Sequence, residues 1–158
     1  MLAILILASP ADRPWADRIA QMLDRFAIPW KMHVSSAHKT PAHLLALLEG
    51  YEADPGPRVY ITVAGRSNAL SGFVDAQVSA PVIACPPYAE QYAGGDVLSS
   101  LRMPSGVAPA VVLEAENAAL LAAKILSLAD PALRRRVQEA QEEQRRRLVE
   151  ADAALHTL

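Results

Sequence analysis

A chain of 158 residues with 52% hydrophobic and 20% charged positions has the length of one domain and enough apolar side chains to bury a core, which excludes a disordered segment. The formal net charge of −2 leaves no basic footprint for nucleic acid, and the single cysteine, Cys85, excludes an internal disulfide and fits a reducing compartment. No apolar run is long enough to span a bilayer, and the apolar start Met1 to Ala8 lacks a basic leader and runs straight into Asp12 and Arg13, so a cytoplasmic protein is expected.

Leu2 to Leu7 reads LAILIL, apolar on both alternation faces, the pattern of a strand buried on both sides of a parallel sheet. Ala8 to Asp12 ends it. Asp12 is placed to cap a helix with Pro14 in its first turn, along which Trp15, Ile19, Met22, Leu23 and Phe26 recur until Ile28-Pro29 stops it. Trp30 to Ser35 predicts a second strand, with Met32 and Val34 on one face. The stretch Ser35-Ser36-Ala37-His38-Lys39-Thr40-Pro41 follows. Thr40 and Pro41 open the next helix as N-cap and first position, and Leu44, Leu45, Leu47 and Leu48 form its apolar side.

Asp54-Pro55-Gly56-Pro57 is a loop, and Val59 to Ala64 a third strand running into Gly65-Arg66-Ser67-Asn68. Ala69 to Val78 predicts a short helix and Ala80 to Ala84 a fourth strand, ended by Cys85-Pro86-Pro87. A short helix around Asp96 to Leu101 precedes the loop Arg102 to Gly106, and Ala108 to Leu113 predicts a fifth strand. Glu116 to Leu128 is an Ala/Leu-rich helix with almost no polar face, expected to be buried nearly all round. Asp130-Pro131 caps a last helix with a narrow stripe of Leu133, Val137, Ala140, Leu148, Ala151 and Leu155. Arg134 to Arg136 and Arg145 to Arg147 flank the stripe, and Glu142 and Glu143 stand four residues before Arg146 and Arg147. So thin a seam on so long a helix needs a partner, and packing on a neighbouring subunit is expected. The alternation predicts one α/β domain over residues 1–158, a parallel five-stranded sheet between two helical layers. Residues 1–128 form its core and 129–158 its C-terminal oligomerisation helix.

Three loops follow three strands and converge at one edge of such a sheet: Ser9 to Asp12, Ser35 to Lys39, and Gly65 to Asn68. Loop amides at helix starts favour anions, and Ser9, Ser36 and Lys39 add donors, so a phosphate is the natural guess. Asp12 suits sugar hydroxyls, although for Ser9 and Asp12 plain helix capping is the simpler reading. Of the four histidines, His33, His43 and His156 read as surface or satisfied imidazoles; His38 stands in a loop at the ligand edge, where an imidazole can transfer protons. The histidine spacing and the lone cysteine give no metal site, and Cys85 reads as a buried strand-end thiol. Neither a Walker A loop nor a Gly-x-Gly-x-x-Gly is present.

Ser36 to Pro41, Ala64 to Asn68, Cys85 to Pro87, Asp96, and Ser99 to Gly106 together closely resemble the PurE family of purine biosynthesis, from about the first strand to the helix at Asn117 to Leu128. The resemblance implies a flavodoxin-like fold, a homo-oligomer (octamer or tetramer) with active sites shared between subunits, and no cofactor. It also implies carboxylation of 5-aminoimidazole ribonucleotide at ring carbon C4. Lys39 stands after His38 where class I members have Arg, and Ala69 stands where they place a second His. Both features resemble class II, whose members use carbon dioxide directly. The alternatives are the class I N5-carboxyaminoimidazole ribonucleotide mutase, a relative acting on another heteroaromatic ring, and a non-catalytic flavodoxin-like nucleotide-binding module. The resemblance implies that His38 takes the C4 proton, Ser36 and Lys39 grip the ribose phosphate, and Asp12 the ribose hydroxyls. Gly65, Arg66 and Ser67 belong to its carbon dioxide pocket, Ala64 and Asn68 to the substrate-binding residues beside it, and Met103, Pro104, Ser105 and Gly106 to its base cover. The family's first loop reads Gly-Ser-x-Ser-Asp; here it is Ala8-Ser9-Pro10-Ala11-Asp12, and Pro10 removes a backbone donor, shifting phosphate binding onto Ser36 and Lys39.

Overall fold

The computed structural model describes residues 1–156. Its five strands are β1 (Leu2–Leu7), β2 (Trp30–Val34), β3 (Arg58–Val63), β4 (Val82–Ala84) and β5 (Ala110–Val111). They pair in parallel in the order β2-β1-β3-β4-β5. The helices are α1 (Arg13–Arg25), α2 (Pro41–Glu52), α3 (Ala69–Asp75), α4 (Leu98–Leu101), α5 (Ala115–Leu126) and α6 (Pro131–Leu155). This order is that of the flavodoxin-like three-layer sandwich, with the chain reversing its direction of travel between β1 and β3.

The period-two alternation of β1 divides the interior. Ala3, Leu5 and Leu7 face one layer, with Ile19 and Leu23 of α1, the alanines of α5, and Leu133 and Val137 of α6. Ile4 and Ile6 face the other, with Leu44 and Leu48 of α2 and Leu70 and Val74 of α3. Fully burying a side chain of this size stabilises by roughly 1.5–3 kcal/mol. Ala115, Ala118, Ala119, Ala122 and Ala123 are all buried, and their small side chains let α5 lie close on α1. Only Asn117 and Lys124 of α5 are exposed, close to the expected all-round burial. Arg18 of α1 lies 4.5 Å from the centre of the Trp15 ring and donates twice to Glu116 of α5, at 2.9 Å each.

Several boundaries differ from expectation. The edge strands are short. β5 keeps two residues after Pro109, and β4 begins after Pro81, because neither proline has an N–H to give the ladder. On the other edge, Val34 is 47% exposed rather than packed with Met32. α1 ends at Arg25, three residues before Ile28-Pro29. Ala27 takes φ +53°, and the amides of Ala27 and Ile28 turn back to Asp24 (2.9 Å) and Leu23 (3.0 Å), a Schellman closure. Neither expected cap uses its side chain: Asp12 and Thr40 stand at the N-cap positions without a capping hydrogen bond. Ser9 instead caps a 3-10 turn, Pro10–Asp12, ahead of α1. α3 stops at Asp75, whose carboxylate accepts from Ala108 N–H at 2.7 Å. Asp130 caps α6 as expected, accepting from Ala132 (2.8 Å) and Leu133 (3.1 Å).

At the amino-terminal edge of the sheet, Glu52 ties α2 to β3 and to the loop that leads into β4. One oxygen accepts from Tyr60 Oη, and the other from both the N–H and the hydroxyl of Ser79, each at 3.0 Å. Burial alone would raise this carboxyl, but the Ser79 and Tyr60 hydrogen bonds and the charge of Arg58 outweigh it and hold Glu52 below its usual range. The last two turns of α6 leave the body: Leu148 is 72% and Leu155 75% exposed. There Glu142 pairs with Arg145 (2.7 Å) rather than Arg146, and Glu143 pairs with Arg147. No helix among the described residues is long and apolar enough to cross a membrane.

Candidate active site

A parallel sheet aims the carboxyl ends of its strands at one edge, and a ligand finds its crevice where the strand order reverses. A cleft of about 480 Å³ lies there. It is lined by Ser9 and Asp12 after β1, Ser36, His38 and Lys39 after β2, Gly65, Arg66 and Ser67 after β3, and Pro87, Tyr88 and Ala89 after β4. The three loops read from the sequence do meet. A second cavity of about 380 Å³ at the opposite edge is walled by Glu52, Arg58 and Ser79, whose polar groups are spent on one another.

Each loop is shaped by its own hydrogen bonds. Ser9 Oγ accepts from Ala11 N–H at 3.2 Å. In the second loop Thr40 Oγ1 accepts from Ser36 N–H (2.9 Å), Thr40 N–H donates to Ser36 carbonyl oxygen (2.9 Å), and Ser36 Oγ accepts from Lys39 N–H (3.3 Å). Thr40 thus ties the loop shut instead of capping α2. The tie leaves His38 and Lys39 exposed at the cleft, and among the described residues neither side chain has a hydrogen bond or ion pair. The positive end of α2 lies beside them. Asp12 is half-buried: its burial raises the carboxyl above its usual range, against a backbone hydrogen bond with Ser9 and the charge of Arg66.

The third loop turns on Arg66, which has φ +59°. Its N–H donates to Asp96 Oδ2 at 2.6 Å, and its carbonyl accepts from Ser99 Oγ at 2.8 Å. Ala64 lines the cleft floor and is buried. Asn68 does not reach the cleft. It is buried, accepts from Ser71 N–H at 3.2 Å to cap α3, and gives its amide to Ser100 Oγ at 2.8 Å. Met103, Pro104, Ser105 and Gly106 also lie outside this cleft, beside α3; a Cβ on Gly72 of α3 would come within 3.1 Å of Met103 Sδ. Cys85 is buried, and burial lifts its thiol to about 11 despite the Trp15 Nε1–H at 3.4 Å, in keeping with the expected buried strand-end thiol.

Residues 2–147 match the family model described as AIR carboxylase. The chain belongs to the AIR carboxylase family. It is 51% identical over 155 residues to a phosphoribosylaminoimidazole carboxylase of Archaeoglobus fulgidus, covering 98% of this chain and 85% of that one. A phosphoribosylaminoimidazole carboxylase of Treponema denticola is 48% identical over 154 residues, 98% of this chain and 97% of that one. The crystal structure of Treponema denticola PurE superposes with a TM-score of 0.96 at 48% identity, covering 98% of each chain. The resemblance read from the motifs and the fold it implied are thereby shown.

In this AIR carboxylase family member, reading the sequence missed Tyr88 and Ala89 as cleft residues and Asp96 and Ser99 as its struts. Tyr88 stands next to the Cys85-Pro86-Pro87 motif, a signal that the wall extends past the prolines. Asp96 lies thirty positions from the amide it holds, and no local pattern connects the two.

Proposed function

We propose that this chain is a class II enzyme that carboxylates 5-aminoimidazole ribonucleotide at C4 with carbon dioxide in purine biosynthesis, without cofactor. The observation that carries the reading is the meeting of Ser36, His38 and Lys39 with Asp12 and the Gly65–Ser67 turn around one cleft, in a member of this family. Ser36 and Lys39 grip the ribose phosphate beside the positive end of α2, and Asp12 accepts from the ribose hydroxyls. The ring is an enamine, so its C4 electron pair attacks the carbon of carbon dioxide and one C–O π pair moves onto oxygen. The Gly65 and Ser67 amides and the Ser67 hydroxyl receive that charge. His38 then takes the C4 proton, and the C–H electrons restore the aromatic ring. Proton transfer of this kind contributes roughly 10²–10⁴-fold.

Lys39 after His38, and Ala69 in place of a second histidine, favour carbon dioxide over the mutase substrate. The chain acts as one unit whose α6 joins it to other copies in the cytoplasm. In that assembly Met103 to Gly106, which lie off this chain's own cleft, cover the base in a neighbour's. The test supplies pure protein with 5-aminoimidazole ribonucleotide in carbonated buffer, or with N5-carboxyaminoimidazole ribonucleotide, in both cases without ATP. Formation of the 4-carboxylate from the first alone is expected. Formation from the second alone identifies a mutase, and from neither, a binding module.

A further inference from the structure

We propose that Asp96 is a positioning residue, which holds the Gly65–Ser67 turn in the shape that receives the new carboxylate. The inference rests on the carboxylation reading above and extends it to a residue outside the cleft lining.

A side chain other than glycine in the left-handed region works against its own Cβ, and Arg66 is held there at φ +59°. Such strain persists only where surroundings over-determine it. Here both peptide groups of Arg66 are fixed from one segment. Asp96 Oδ2 takes the N–H at 2.6 Å, and Ser99 Oγ gives to the carbonyl at 2.8 Å while accepting from Asn68 N–H at 3.0 Å. A Cβ on Gly65 would meet Asp96 Oδ2 at 3.4 Å, an ordinary packing distance, so the carboxylate lies directly against the turn. The amides of Gly65 and Ser67, on either side of the clamped unit, make no hydrogen bond among the described residues and belong to cleft-lining residues. A charged acceptor spent on Arg66 N–H therefore frees the flanking amides for an anion and fixes their direction.

The consequence is selective. Phosphate and ribose are held by other loops, so loss of Asp96 acts on the carboxylate and not on the nucleotide as a whole. Binding is measured by calorimetry in the His38→Asn background, where neither nucleotide is consumed, for 5-aminoimidazole ribonucleotide and its 4-carboxylate, with Asp96 present, Asp96→Ala or Asp96→Asn. Asp96→Ala is expected to weaken the 4-carboxylate by roughly tenfold or more and to leave the uncarboxylated nucleotide within about twofold. With His38 intact it lowers kcat by a similar factor at unchanged nucleotide KM, and Asp96→Asn, which keeps a neutral acceptor, recovers most of the loss. Equal weakening of both nucleotides, or of neither, overturns the proposal. If Asp96→Ala does not fold, Ser99→Ala, which releases the Arg66 carbonyl, decides the same comparison. A wild-type chain inert toward 5-aminoimidazole ribonucleotide in carbonated buffer fails the parent reading. An active wild type matched by an unaltered Asp96→Ala fails only this one.

Discussion

His38 and Lys39 leave the same loop, and the proposed mechanism gives them separable tasks, one at the ring and the other at the phosphate. His38→Asn keeps the shape of the loop, which Thr40 ties from behind, and is expected to cut turnover by about 10²–10⁴-fold with nucleotide affinity nearly unchanged. Lys39→Ala is expected to raise the nucleotide KM roughly tenfold or more and change kcat far less, as steady-state kinetics will read. Asp12 poses the opposite problem. Its carboxyl is raised by burial, so the folded chain holds that proton more tightly than the unfolded one, and stability falls as pH climbs through the interval between the two pKa values. At neutral pH Asp12→Asn should therefore raise the melting temperature slightly while weakening nucleotide binding, a trade checked by thermal melts and calorimetry. His38, Lys39 and Ser36 were legible as cleft residues because a strand-end loop before a helix has one place to go in a parallel sheet. Asp96 was visible only as part of the family motif, and its contact was not, because the amide it holds belongs to another loop.

Among the elements, the strands were readable wherever burial on both faces left no polar residue, as in LAILIL, and least so at the edges, where Pro81 and Pro109 cut β4 and β5 short. The close of α1 was misread since Ala27 carries no mark of the left-handed turn it makes. Ala27→Gly should stabilise by roughly 0.5–1 kcal/mol, the relief of the Cβ clash exceeding the entropy of the unfolded glycine. Chemical denaturation measures it. Glu52 joins α2, β3 and the loop into β4. Because its carboxyl is held below the usual range, its contribution is complete above the unfolded pKa and is lost as pH falls through the folded one. Glu52→Gln is expected to cost about 1 kcal/mol at neutral pH, and the gap to wild type should close in acid.

For the molecule as a whole, α6 separates into a half that belongs to the core through Leu133 and Val137 and a half that carries Leu148 and Leu155 into solvent. Leu148→Glu combined with Leu155→Glu should leave the melting of the α/β body intact and reduce the particle mass seen by light scattering. An unchanged mass would count against α6 as the joint between copies. The outline of the fold was open to reading because each element's apolar pattern is a local property. A partner for α6 was not, because an exposed stripe is a property of one chain and names nothing that packs on it. The two rims of the sheet also differ in kind. One carries the cleft to which the proposed chemistry is assigned; the other, with Ala27 and the Glu52 cluster, contributes no residue to that cleft. If the proposed site holds, heat tolerance can be engineered from below, by editing the rim away from the cleft, with turnover expected to be unchanged.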